Sequence, residues 1–318
     1  MNDAIDVRGV SKRFGEVRAV NDINFTIPVG SLCGFLGPNG AGKSTTIRMI
    51  MSIIYPDSGS ITVLGGSALD QKDSIGYLPE ERGLYRKMRV NAFLRYIARL
   101  KGVPSRGLNT RITEWLERME LPGVEKRRCQ ELSKGMQQKV QFIASVIHDP
   151  DLIILDEPFS GLDPVNARLL GQVIREMSDA GKTIIFSTHV LHQAERLCDR
   201  VLMINQGKIV LDDNLTSIRR KHDPRTVLVD PIGPCAPLLT HAGDFPDVVT
   251  MEQTPDAETV EIHLEPGTPT SDGVPREMLE QIVSIIPVRS IELRRPTLDD
   301  VFVELVGTTI AQVEEQAS

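Results

Sequence analysis

Residues 31–50 read SLCGFLGPNGAGKSTTIRMI. SLCGFLG is an almost continuous apolar run, the pattern of a strand buried on both faces of a sheet. It ends in glycines and passes into STTIRMIMSII, where Ile47, Ile50, Met51 and Ile54 keep helical spacing. Between the two lies GPNGAGKST, 37–45, which matches G-x-x-x-x-G-K-[ST] through Gly37, Gly42, Lys43 and Ser44, in the strand–loop–helix context that the motif requires. The loop Gly37, Pro38, Asn39, Gly40, Ala41 and Gly42 lets backbone N–H groups curl around phosphate oxygens. The helix that starts after it, through Thr45, adds the partial positive charge of its N-terminus. Lys43 is placed to reach the β- and γ-phosphates, and the Ser44 hydroxyl to ligate Mg²⁺. ATP and Mg²⁺ are the expected ligands.

A second stretch supports the first. LIILDEP, 152–158, is a buried strand that delivers the adjacent carboxylates Asp156 and Glu157 to the carboxyl end of the sheet, where nucleotides sit in open α/β folds. A metal-bound nucleotide needs one carboxylate near Mg²⁺ and one that orients or deprotonates the attacking water. Asp156 is assigned to the metal and Glu157 to the water.

Working outward, AIDVRGVSKRFG and NDINFTIPVG show period-two apolar spacing, an antiparallel edge with turns at Gly9, Gly15 and Gly30. SITVLG is a further short strand. From 88 to about 148 the pattern is helical, with Phe93, Ile97 and Leu100 on one stripe, read with Trp115 as core rather than partner groove, and Ile112, Leu116 and Met119 on another. TIIFSTH is another strand, VNARLLGQVIREMSDAG a helix, and RVLMINQGKIVLDD a hairpin turning at Gln206-Gly207. The alternation argues for a mainly parallel α/β sheet carrying an inserted helical subdomain at about 85–150, within a unit spanning 1–220. After the charged, Pro-bearing boundary SIRRKHDPRT, the order βαββαβ plus a tail helix suits a small ferredoxin-like α+β unit over 221–318, with GTPTSDG as a loop.

Composition agrees with two units: 318 residues exceed one typical core. Residues 222–318 carry 5 Lys+Arg against 18 Asp+Glu, while the whole chain is −7, so an acidic back follows a basic front. No apolar run approaches the roughly eighteen residues of a membrane span, and the acidic start MNDAIDVRGV lacks a secretory h-region. Cys33, Cys129, Cys198 and Cys235 show no CxxC spacing and are read as reduced, packed thiols. The remaining histidines His148, His192, His222, His241 and His263 show no ligand spacing. Arg82, Arg86, Lys87, Arg89, Arg95, Arg99 and Lys101 form a basic helical stretch, either a solvated face or one turned to a membrane or nucleic acid.

LSKGMQQK, 132–139, is a second glycine-bearing helix start, with Ser133 as its cap and Gly135 leaving the backbone open to a ligand. Taken with the two motifs above, it resembles the signature sequence of the ATP-binding cassette (ABC) family. It departs from the common LSGGQ form at Lys134 and Met136. Over residues 1 to about 215 the rest of the family set follows in order. Phe14 in KRFG resembles the aromatic that stacks on adenine, SGLD with Ser160 and Asp163 the D-loop, and STH with His189 the switch histidine that contacts the γ-phosphate. The resemblance implies a P-loop NTPase cassette that pairs head to tail with a second cassette. Ser133 and Gly135 of one chain then close on the ATP held by Lys43 of the other.

Where the family carries its Q-loop glutamine, YLPEERGLY has Glu80, to which the metal role is carried over. Together with Lys134 and a tail ending RRPTLDDVFVEL, this resembles a subgroup that works with separate six-helix export permeases, among them sodium and antibiotic-peptide exporters. The implied protein is an ATP-hydrolysing subunit, cytoplasmic and peripheral on the inner face of the cell membrane, probed by its permease along RGLYRKMRVNAFLRYIARL. The alternative is a soluble ABC-type ATPase acting on ribosomes or DNA. One cassette, no heptad run and an acidic tail argue against it, and no nucleic-acid partner is expected. A P-loop kinase would have no use for SGLD or LSKG.

Overall fold

The computed structural model describes residues 3–81, 83–222, 225–254, 258–265, 268, 273–294 and 296–305. Arg82, Arg295, most of GTPTSDG and the end of the tail, named above, lie outside them. The chain divides into two compact units between Thr216 and Ser217.

The first unit runs β1 (Asp3–Phe14), β2 (Val17–Pro28), β3 (Leu32–Leu36), α1 (Lys43–Ile50), β4 (Ser58–Val63), β5 (Ile75–Leu78), α2 (Val90–Leu100), α3 (Leu108–Arg118) and α4 (Lys134–Val146). It continues β6 (Leu152–Asp156), α5 (Pro164–Asp179), β7 (Thr183–Thr188), α6 (Leu191–Leu197), β8 (Arg200–Asn205) and β9 (Lys208–Asn214), and α7 (Leu215–Lys221) crosses the boundary. Six strands form one sheet in the order β5-β6-β7-β3-β8-β9, parallel except for the β8–β9 hairpin. Every residue of β3, β6 and β7 is buried, as central strands covered on both faces must be. Because β5, β6, β7 and β3 are parallel, the loops that follow all four emerge at one edge of the sheet. That edge receives the GKS loop, the DEP loop, the STH loop and the Glu80 loop.

β1 and β2 pair antiparallel and, with β4, form a sheet of their own in the order β2-β1-β4. Ile5, Val7, Ile23 and Phe25 from it pack with Phe35, Ile47, Ile154 and Leu202 in one core, where the Phe25 and Phe35 rings lie 6.2 Å apart.

Three local expectations are corrected. Gly9 is not a turn: β1 continues through it, and its φ of 59° belongs to a register shift between Val7 and Val10, a bulge that glycine accommodates. Helix α1 ends at Ile50, so Met51 and Ile54 pack on the core from a following turn rather than from the helix. On α2 the buried stripe is Phe93, Leu94 and Ala98, while Leu100 is 61% exposed at the last turn, where the helix leaves the core. Ile112, Leu116 and Met119 are buried. The hairpin turns at Gln206 and Gly207 with φ of 46° and 75°, the mirror-image turn that suits the strand twist. All four cysteines are free and buried.

The second unit runs β10 (Thr226–Pro231), α8 (Ala236–Thr240), β11 (Val248–Gln253), β12 (Val260–Leu264), α9 (Arg276–Ile285) and β13 (Val288–Leu293). Its antiparallel sheet has the order β11-β12-β10-β13, the ferredoxin-like order. Val227, Val229, Ile262, Met278 and Ile282 form its own core. Its residues 298–304 are helical.

Candidate functional site

At the carboxyl edge of the parallel sheet, Asn39, Gly40, Gly42, Lys43, Ser44, Thr45, Glu80 and Glu157 line a cleft of about 290 Å³, with Ala19 of β2 as its remaining wall. Residues from four separate stretches of chain therefore meet in one place. Helix α1 begins at Lys43 behind Gly42, whose φ of 111° no side chain adopts comfortably. A Cβ at Gly42 would lie 2.6 Å from Ala19 O, and one at Gly37 only 2.2 Å from Ile204 O. The loop is thus pressed between β2 and β8, which leaves its inner curve to a ligand.

The Lys43 ammonium is buried and donates to Gly37 O at 2.7 Å and Pro38 O at 3.1 Å, closing the loop on itself. Burial lowers its pKa, opposed by the carboxylates of Glu157, Asp156 and Glu80. Asp156, the last residue of β6, is 1% exposed; Ser44 Oγ donates to its Oδ1 at 3.5 Å, and the Ser187 hydroxyl donates to the same oxygen. Burial raises the Asp156 pKa, and the two hydroxyls hold it partly back. Glu157 follows at φ 49°, a left-handed conformation that a glutamate adopts only when its surroundings enforce it. Its N–H is held by Ser187, which accepts it at both O and Oγ, each at 3.2 Å. That turn swings the Glu157 side chain into the cleft, where His189 Nδ1 lies 2.8 Å from its Oε1.

Three oxygen-bearing side chains stand here: Ser44 and Glu80, which line the cleft, and Asp156, which the Ser44 hydroxyl touches. This set suits a hard cation such as Mg²⁺. Among the described residues no group of three or more His, Cys, Asp or Glu forms a metal cage. Mg²⁺ characteristically needs none, being held by one or two carboxylates together with substrate phosphates.

Other expected residues stand elsewhere. Ser133 caps α4, its Oγ accepting from Met136 N–H at 3.3 Å, and is exposed. A Cβ on Gly135 would touch Leu162 Cδ2 at 3.5 Å, so this helix tip abuts the SGLD turn. Asp163 caps α5, accepting from Val165 and Asn166 N–H at 3.0 and 2.9 Å. Neither Ser133, Gly135 nor Asp163 lines the Lys43 cleft. Phe14, 50% exposed, carries the Lys12 ammonium 5.6 Å from its ring centre and lies off the cleft, although β2 beside it supplies Ala19.

Three further side chains hold the site together: Ser187 on Asp156 and Glu157, Gln138, and Gln141. Gln138 Nε2 donates to Pro158 O at 3.0 Å, and Gln141 Nε2 to Pro79 O and Glu81 O at 3.3 and 3.2 Å. Ser187 stands two places before His189 in STH, and Gln138 within LSKGMQQK; Gln141 has no such flag.

The chain is similar to known proteins along nearly its whole length. A family model described as "ABC transporter" matches residues 20–160, and one described as "ATP-binding protein DrrA1-3-like, C-terminal domain" matches 214–306. The chain is 38% identical to an uncharacterized ABC transporter ATP-binding protein, YhaQ, of Bacillus subtilis, over 94% of this chain and 97% of that one. It is 35% identical to the Nod factor export ATP-binding protein I of Rhizobium leguminosarum bv. viciae, over 96% and 95%. A solved structure, an ATP-binding subunit of an ABC transporter, superposes with a TM-score of 0.64 at 31% identity, covering 69% of this chain and 92% of that chain.

Proposed function

From the premise that this chain belongs to the ABC transporter family as an ATP-binding protein, we propose that it hydrolyses ATP to drive export through a separate membrane permease, two copies pairing head to tail around the nucleotides. Among the described residues no helix is long and apolar enough to cross a membrane; in this reading a separate partner supplies the pore, and the subunit sits on the inner membrane face. The relative named for Nod factor export supports the export direction.

One observation carries the catalytic part: Lys43, Ser44, Glu80 and Glu157 share a single cleft while His189 engages Glu157. The Gly37–Gly42 backbone and Lys43 receive the phosphates, Lys43 exchanging its bonds to Gly37 O and Pro38 O for phosphate oxygens. Ser44, Asp156 and Glu80 would hold Mg²⁺, which when bound would neutralise phosphate charge. Glu157 orients the attacking water and takes its proton at Oε, and His189 fixes the carboxylate by donating from Nδ1. Phe14 stacks on adenine. Ser133 and Gly135 present an anion-binding helix tip to the nucleotide of the second copy, with the Asp163 turn beside them. That arrangement accounts for a helix start shaped for an anion yet standing off this chain's own cleft.

The test is Glu157→Gln. It should bind ATP, stop turning over, and accumulate as a dimer in size-exclusion chromatography. Turnover at the normal rate would remove Glu157 from its role, and an ATP-loaded monomer would remove the head-to-tail pairing.

A further inference from the structure

Helix α4 has a second end to its work. We propose that Gln141 is a positioning residue for Glu80, clasping the two peptide carbonyls on either side of it so that the Glu80 carboxylate stays over the Lys43 cleft; this rests on the reading of Glu80 as a metal-holding residue.

The side chain is 5% exposed, and its amide nitrogen spends its hydrogens on Pro79 O and Glu81 O, 62 and 60 residues away in sequence. Glu80 lies between those two carbonyls, on the cleft wall with Lys43, Ser44 and Glu157. The amide oxygen of Gln141 is buried and has no hydrogen-bond partner among the described residues. A glutamine whose acceptor is orphaned in the interior is a poor choice for stability alone, because the unmet oxygen offsets part of what its two donated bonds contribute. What the glutamine supplies is the hold on the loop. Such departures from the best local choice concentrate where function requires them.

Gln138 stands three residues earlier on the same helix, and so on the same face, holding Pro158 O directly after Glu157. One rigid helix thus grips the loop behind Glu80 and the loop behind Glu157, and sets the spacing of the two carboxylates. Its other end is the Ser133 tip.

The near-isosteric Gln141→Met removes both donors and the orphaned acceptor. Its thermal midpoint should stay close to that of the parent chain, the two lost bonds being offset by removal of the orphaned acceptor. Mn²⁺ binding in the presence of ADP, read from the electron paramagnetic resonance signal of free Mn²⁺, should weaken about tenfold or more, the effect of losing a group that orients a metal ligand. In a Glu80→Ala background the same change should add no further loss, since Gln141 acts through Glu80. A folded Gln141→Met with unaltered Mn²⁺ binding, beside an impaired Glu80→Ala, overturns the proposal alone. An equal further loss in the Glu80→Ala background also overturns it. Unaltered Mn²⁺ binding in Glu80→Ala itself instead overturns the reading of Glu80 on which the proposal stands. Should Gln141→Met not fold, Gln141→Ala takes its place with the same measurements.

Discussion

His189 Nδ1 lies 2.8 Å from Glu157 Oε1, joining the loops that follow β7 and β6 across 32 residues of sequence. Glu157 keeps only 12% of its side chain exposed, whereas His189 keeps 51%. The histidine therefore reaches in from solvent to hold a carboxylate already directed into the cleft. His189→Ala leaves Glu157 free to rotate. We expect kcat to fall about 100-fold or more with little change in the KM for ATP, since the contact serves the transition state rather than ground-state binding. Steady-state hydrolysis assays read this directly, and a rise in KM alone would contradict it.

Asp156 gives a pH-dependent prediction. Burial raises its pKa in the folded chain above the ordinary carboxylate value, so the folded state favours the protonated form. Ionisation therefore destabilises the fold. That penalty is complete above the raised folded pKa and vanishes as pH falls through it toward the unfolded value. Asp156→Asn should melt higher than the parent chain at neutral pH, with the difference closing on acidification, while hydrolysis is lost. Thermal melts across pH test it; a difference that widens toward acid would reverse the sign.

The phosphate loop separates two kinds of glycine. A Cβ at Gly37 meets Ile204 O at 2.2 Å, whereas at Gly40 it meets nothing within 4 Å and only the φ of 80° is unfavourable. Gly40→Ala should cost about 1–2 kcal/mol of stability, the left-handed backbone penalty. Gly37→Ala should cost about 3 kcal/mol or more, because displacement of the β8 backbone is added. Denaturant midpoints compare the two, and equal losses would refute the distinction.

Mixing experiments test the composite pocket. Lys43→Ala and Ser133→Arg chains are each expected to be inactive alone, since each homodimer has two damaged sites. Mixed in equal amounts, half the dimers carry one site built from an intact Lys43 and an intact Ser133. Roughly a quarter of the parent activity should return, as two-fold symmetry dictates. No recovery would argue that both residues serve one chain's own nucleotide.

The two units should unfold separately, since each closes its own core. Ile282 is fully buried in the second unit, and the single tryptophan, Trp115, stands on α3 of the first. Ile282→Ala should destabilise the second unit by about 2–5 kcal/mol. The Trp115 fluorescence midpoint should stay in place while part of the circular dichroism transition moves. A shift of the fluorescence midpoint would show one cooperative unit instead.

The stretches legible without coordinates are those whose chemistry is contiguous. Gly37 to Thr45 and Leu152 to Glu157 each carry backbone shape and functional group in one short run, so periodicity and motif spacing suffice to place strand, loop and helix. The same holds for the caps at Ser133 and Asp163, which are bonds to N–H groups two or three residues away. Local pattern fails where neighbours outweigh it: Gly9 bulges inside a strand that β2 and β4 pin on both sides, and Leu100 turns outward at the end of α2.

Tertiary structure alone decided the rest. Ser187 on Asp156 spans 31 residues, Ser44 toward the same carboxylate 112, and Gln141 on the Glu80 loop about as far as two helices and their connections reach. No spacing rule encodes such pairs, because they exist only once parallel strands lie in register and bring their carboxyl ends to one edge. Sequence dictates which groups are available and which local shapes they take. Packing dictates which of them meet, since hydrogen bonds act over about 3 Å and only the closed core brings distant residues that near.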